Sequence, residues 1–460
     1  MISKTVIKEI TSIVGRDYII TGKDDLAPYS HDATNHEFFP DLAVLPENTE
    51  QISKIMEIAN CEHFPVVPRG AGTGMSGGSI AINGGLVMGM ERLNMTLLID
   101  RDNLIAKVQP GVITANLQKE VEKHNLFYPP DPASMDTSTI GGNVAECAGG
   151  PRAFKYGVTR DYVLGLKVVI PTGEILNIGV QTAKGVVGYD LTRLIVGSEG
   201  TLAIITEITL RLIPKPESKK TLLAIFPDIF SAAKCVSSII RRRIVPTTIE
   251  FMDSLSVGCV RDQLSIKIPK GDTAVLLVEI DGDRVQIDKD AVEIESACRQ
   301  SGVIKMQKAR DRGEAEELWK VRRNLSTALL KVKPHKINYD VVVPIGSLAE
   351  FVIALSDIGS KYNLPIPSFG HAGDGNIHVN IMYNRDNRGE AGRAEKALKD
   401  LLILVIDLNG TISGEHGVGL SKKPYIGMEI PEKGLMLMRG IKKVFDPNGI
   451  LNPGKIFEEV

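Results

Sequence analysis

The chain has 460 residues, 43% of them apolar and 24% charged, with a formal net charge of −2. That balance belongs to a soluble globular protein of two or three domains, and it carries no electrostatic footprint for nucleic acid. No stretch approaches the roughly 18 uninterrupted apolar residues of a membrane span. The N-terminal MISKTVIKEITSIVG alternates charge and apolar groups helically, unlike a signal peptide, so a cytoplasmic protein is expected.

In chain order, ENTEQISKIMEIAN (47–60) reads as a helix capped by Asn48 or Thr49, with Ile52, Ile55, Met56 and Ala59 at helical spacing. The strand FPVVP and a glycine-rich loop follow it. LIAKVQPG reads as a strand, TANLQKEVEKHN as a helix capped by Thr114, VLGLKVVIPTGEILNIG as a hairpin and LAIITEITLRL as a strand. RLIPKPESKK (211–220) has the composition of a boundary. Beyond it the strand-like TLLAIF, TTIEFMD, TAVLLVEIDG, INYDVVVP and NIHVNIMY alternate with helical segments such as EAEELWKVRRNLSTALLKV. The fold class is therefore α+β, with an antiparallel sheet in the second region carrying helices on one face. We expect domains at 1–217 and 218–420, and a C-terminal segment, 421–460, returning to the first.

Five cysteines (Cys61, Cys147, Cys235, Cys259 and Cys298) include no C-x-x-C pair. That spacing excludes a chain-borne iron–sulfur cluster of the usual pattern and predicts reduced thiols.

Of the 44 glycines, many fall in three clusters. PRGAGTGMSGG (68–78) follows a strand, yet it is neither a dinucleotide fingerprint nor a phosphate loop ending in G-K-[ST]. Its close glycines let backbone N–H groups converge on an anion, with Arg69, Thr73 and Ser76 as added donors. STIGGNVAECAGGPRAFKYG holds two glycine pairs, and TAKGVVGYDLTRLIVGSEGTLAIITE has glycines at 185, 188, 197 and 200. Three clusters within one region point to a large ligand lying along backbone.

A different chemistry sits in GHAGDGNIHVN (370–380) and GEHGVG (414–419). His378 and Asn380 are two apart in a strand and share a face. His371 lies across a flexible turn. With the Glu415 carboxylate, the two imidazoles make a three-ligand set that leaves a position open, as a catalytic divalent metal requires. Nitrogen and mixed ligands favour zinc, with iron or manganese as alternatives.

Together with DPASMDTSTIGGNVAECAGG, GYDLTRLIVGSEGTLAIITE and FDPNGILNPGKIF, these blocks resemble the FAD-binding oxidoreductases of the vanillyl-alcohol-oxidase fold group. The branch is that of the D-lactate, glycolate and D-2-hydroxyglutarate dehydrogenases, and the likeness spans nearly the whole chain. It implies a bipartite FAD-binding domain with a substrate cap. Pro68, Arg69, Gly70, Ala71, Gly72, Thr73, Gly74, Ser76 and Gly77 would wrap the FAD pyrophosphate. Pro132, Ser134, Thr139, Gly142, Asn143 and Gly149 would line the isoalloxazine side, Glu199, Gly200 and Ile205 the adenosine portion, and Asn452 would also meet the cofactor. Gly72 or Thr73 stands where covalent relatives carry a histidine, so non-covalent FAD is implied. The resemblance makes His371, His378 and Glu415 the metal ligands and His416 the catalytic base. Arg322, three residues after Trp319, becomes the substrate-carboxylate cation, with Ser326 as a hydroxyl donor and Asn380 beside the substrate. Arg323 is expected in solvent, and Lys336 is a weaker candidate for a second cation.

The implied reaction is oxidation of a small D-2-hydroxy acid, D-lactate first, with glycolate and D-2-hydroxyglutarate open. Electrons would pass to an electron-transferring flavoprotein or an iron–sulfur subunit. A metal hydrolase built on the same three ligands would leave the glycine clusters unused, and a flavin-binding protein with a structural or non-redox role is a third reading.

Overall fold

A computed structural model describes residues 2–34, 36–263 and 266–458. The chain forms two compact units: 1–150 with 157–215 and 415–460, and 151–156 with 216–414. Two crossings differ from the expected boundaries. Residues 151–156 go with the second unit because Lys155 Nζ and Tyr156 Oη both donate to the Asp281 carboxylate. The return to the first unit comes at 415 rather than 421, because Glu199 accepts the backbone N–H groups of Val418 and Gly419, each at 2.7 Å.

The first unit is built on two main sheets. In the smaller, strands Val66–Arg69 and Leu42–Val44 flank Leu86–Gly89 in parallel. All three are apolar runs of the kind a doubly covered parallel sheet needs. The helix Thr49–Glu62 starts at Asn48, whose side chain accepts from Gln51 N, and turns Ile52, Ile55, Met56 and Ala59 into the core. The larger sheet is antiparallel, with Ile204–Arg211 between Ile105–Val108 and Val163–Val169. Thr114 opens its helix without capping it: the cap position is Ile113, and the Thr114 hydroxyl binds Ser138 and Asn143 instead. A tertiary hydrogen bond has displaced a local one.

The second unit is a seven-stranded antiparallel sheet with Thr248–Met252 at its centre. Side chains alternate across it, and both faces are covered by helices, not one. Leu223, Ile225, Leu277, Met252 and Phe369 pack with Leu318, Val321 and Leu325 of the helix Arg312–Ala328. Ala224, Phe226, Phe251, Leu276 and Val278, on the alternate positions, are equally buried. Strands so apolar on both sides can only be stable between two layers.

Candidate functional site

Within the first unit the glycine clusters wall a cleft. Pro68 to Gly74, Pro132, Ser134, Thr139, Gly142, Asn143, Gly149, Glu199, Gly200 and Ile205 all line it. The walls are packed too closely to admit side chains at several of these glycines. A Cβ on Gly70 would lie 2.4 Å from Thr139 Oγ1, and one on Gly141 would lie 2.4 Å from Pro110. Gly72, at φ 67°, adds a left-handed turn.

Four residues expected at the cofactor make other contacts in the structure. Ser76 and Gly77 do not line the cleft; the Ser76 carbonyl accepts the N–H groups of Leu420 and Ser421, which stitches the two loops together. Asn452 is also outside it. Its amide donates to Gly78 O and Glu199 O, and its oxygen accepts from Lys455, so it braces the loops. Arg69 borders the cleft, and its guanidinium donates to the carbonyls of Pro28, His31 and Ser79.

The cleft contains a carboxyl that sequence reading did not single out. Burial, and after it Glu199 and Asp32, push the Glu146 carboxyl well above its ordinary range, and one of its oxygens is buried without a partner. A neutral carboxyl there is compatible with a diphosphate ligand, which an ionised one would repel. Glu415 and His416 lie on the wall of the same cleft. Gly149 has no side chain because a Cβ would meet Glu415 Oε2 at 2.8 Å. Cys147 is not on that wall; it ends the helix Ile140–Glu146 in a left-handed conformation.

Within the second unit, one face of the sheet changes from apolar to polar toward one edge. Glu250, His371, His378 and Asn380 occupy inward positions on neighbouring strands: Glu250 pairs across from His371, and Asp340 and Asn338 from His378 and Asn380. The His371 and His378 rings stand edge to face, with centroids 5.2 Å apart. His371 Nδ1 makes a short hydrogen bond to Glu250 Oε1. On the other side of Glu250, Arg322 Nη2 lies 2.5 Å from Oε2. Burial alone would raise the Glu250 carboxyl, but Arg322 and then His371 outweigh it and hold the group below the usual range. Arg322 is itself buried, with Nε lacking any partner, and its guanidinium stacks over Phe369 at 4.6 Å.

The spacing of Trp319 and Arg322 now has a cause. One helical turn apart, they dock on two carboxylates of the sheet: Trp319 Nε1 donates to Glu279 at 3.0 Å, and Arg322 pairs with Glu250. Arg323 points away and pairs with exposed Glu316. Asn380 is less available than expected. It is fully buried, its oxygen taken by Asn338 Nδ2 and its amide by His378 O, so the outward member of the pair is Asn338, whose Oδ1 is buried without a partner. Ser326 accepts from Lys336 Nζ through both its hydroxyl and its carbonyl, at 2.6 and 2.9 Å.

The last residue of the second unit is bonded to this sheet. Gly414 N donates to Asp340 Oδ2 at 2.8 Å, and Asp340 is the cross-strand partner of His378. Gly414 must be glycine, since a Cβ would fall 1.8 Å from Asn376 Nδ2.

Burial lowers the Lys336 ammonium to about 8 from its ordinary 10.5. Between those values the unfolded chain still holds a proton that the folded chain has released, so this group makes stability rise with pH. Lys336→Met should remove that part of the rise, seen as a smaller gain in urea resistance between pH 8 and 10; an unchanged gain would mean Lys336 is not desolvated.

Residues 40–179 match a family model described as an FAD binding domain, and residues 215–456 one described as the C-terminal domain of FAD linked oxidases. The "Glycolate oxidase subunit GlcD" of Bacillus subtilis (strain 168) is 45% identical over 99% of this chain and 97% of its own length. A "D-lactate dehydrogenase" of Anaerostipes hadrus is 35% identical over 95% and 94% of the two chains. A "D-2-hydroxyglutarate dehydrogenase" of Stutzerimonas stutzeri is 33% identical over 99% and 100%. The fold is that of p-cresol methylhydroxylase, matched at a TM-score of 0.82 over 98% of this chain and 96% of that one, at 19% identity.

Proposed function

Because the chain belongs to the FAD-linked oxidases, in a group with relatives named for glycolate, D-lactate and D-2-hydroxyglutarate, we propose that it oxidises a small D-2-hydroxy acid to the 2-oxo acid, with D-lactate favoured. Pro68–Gly78 and Thr139–Gly149 would hold FAD non-covalently, and the flavin would supply the acceptor for the hydride from the substrate α-carbon. Neither Gly72 nor Thr73 offers a nucleophile of the covalent type, and Cys147 stands off the cleft wall.

His371, His378 and Glu415 would hold a divalent metal, zinc before iron or manganese, whose contribution is to acidify the substrate hydroxyl. The observation that supports this reading is the pair of buried imidazoles, His371 and His378, edge to face on adjacent strands of the second unit; in the first unit, Glu415 and His416 lie on the glycine-walled cleft. His416 takes the hydroxyl proton. Arg322 binds the carboxylate: one of its N–H groups is spent on Glu250, and the unpartnered Nε supplies a further donor. Ser326 and the Asn338–Asn380 pair orient the rest of the acid.

The electrons leave to a protein acceptor, an electron-transferring flavoprotein or an iron–sulfur subunit, since the chain has no cysteine pattern for a cluster of its own. We place the protein in the cytoplasm; among the described residues no helix is long and apolar enough to cross a membrane. The test is anaerobic. The purified protein should be yellow, contain metal, and bleach with D-lactate faster than with glycolate or D-2-hydroxyglutarate. A protein that stays colourless when FAD is offered overturns the reading.

A further inference from the structure

We propose that Glu250 is a positioning residue that sets the metal-ligand and anion-binding groups of this site with one side chain. The inference rests on the reading of His371 and Arg322 given above. It assigns a role to a residue that neither motif contains.

Glu250 sits on the central strand of the seven, and its side chain is completely buried. An acid there costs several kcal/mol unless both oxygens are engaged. One oxygen takes His371 Nδ1 and, more weakly, the Thr248 hydroxyl at 3.3 Å; the other faces Arg322 Nη2. The first bond commits Nδ1 as a donor, which makes Nε2 the nitrogen that can ligate and fixes the ring plane. The ion pair holds the guanidinium against Phe369 and leaves its buried Nε without a hydrogen-bond partner. His371 is the direct cross-strand neighbour of Glu250, and Arg322 reaches it from the helix packed on that face. One carboxylate therefore spans the two subsites, and loss of its charge disturbs both.

Glutamine tests this without changing size. Its single carbonyl oxygen can face His371 or Arg322, and its amide must then confront the other donor. In the holoenzyme, Glu250→Gln should keep its FAD and bind Zn²⁺ about 10- to 100-fold more weakly in competition with a chelator. The KM for D-lactate should rise in the same variant. Arg322→Met should raise KM while leaving Zn²⁺ affinity nearly unchanged, and the two substitutions together should raise KM by less than the product of their separate effects. Glu250→Asp keeps the charge but shortens the reach, so it should recover one of the two affinities and not both. It also serves if the glutamine variant does not fold. Parental zinc affinity and parental KM in Glu250→Gln would overturn the proposal while leaving the proposed function standing. A parent protein that binds no metal and is not reduced by any of the three acids overturns both.

Discussion

Replacing His416 with asparagine should slow anaerobic flavin reduction by D-lactate about 10²- to 10⁴-fold, the range a general base supplies, while the protein remains yellow. The loop that carries His416 is anchored by its neighbours. Val418 and Gly419 hang on the Glu199 carboxylate, and Leu420 and Ser421 on the Ser76 carbonyl. Gly417 and Gly419 take positive φ values of 77° and 50°, and a Cβ on Gly419 would meet Ser76 O at 2.3 Å. Asparagine can therefore occupy the position and still hydrogen-bond, but it cannot accept a proton. Metal content should be unchanged, because Glu415 and the two strand histidines are untouched. Stopped-flow reduction at saturating substrate separates the outcomes: bleaching at the parental rate would remove His416 from the chemistry, and loss of yellow colour would make it a cofactor-binding residue instead.

Glycine was the most legible residue in this chain. Its clusters mark places where the chain has no room for a side chain: backbone approaches Gly141 and Gly419, and the side chains of Thr139 and Asn376 approach Gly70 and Gly414. The strand histidines were legible through their period of two. What could not be read was the second partner of each polar group. Arg69 looked like an anion donor, but its acceptors are carbonyls at Pro28 and His31, some forty residues earlier. Asn452 was placed on the cofactor, but it holds Gly78 and Glu199 together across more than 250 residues of sequence. Glu250 left a trace: an acid in the middle of the apolar run TTIEFMD contradicts the strand pattern around it. Such a conflict marks a paired charge, although the pattern gives no hint that the pair is His371 and Arg322. Helices were expected on one face of the sheet only; runs such as TLLAIF, apolar at nearly every position and not at alternate ones, carried the signal for a second covered face.

The Arg322–Glu250 pair should also govern the stability of the second unit. Removing one partner of a buried ion pair leaves the other charged and unpaired, at a cost of about 3–5 kcal/mol. Arg322→Met keeps the bulk and the stacking on Phe369 but strands the Glu250 carboxylate, whose side chain has no exposure to water. The chain contains a single tryptophan, and Trp319 lies one helical turn from Arg322 with its indole bound to Glu279. Its fluorescence therefore follows the unfolding of this helix and sheet. In urea, the Trp319 transition of Arg322→Met should move to lower denaturant by an amount matching that cost, with its slope preserved. Arg323→Met is the control: that side chain pairs with exposed Glu316, and its loss should cost under about 1 kcal/mol. Adding Glu250→Gln to Arg322→Met should restore part of the stability, because the stranded group is then neutral and still meets His371. If Arg322→Met unfolds at the parental urea concentration, Glu250 must be reached by water or by another cation, and the pair does not act as the buried unit described here.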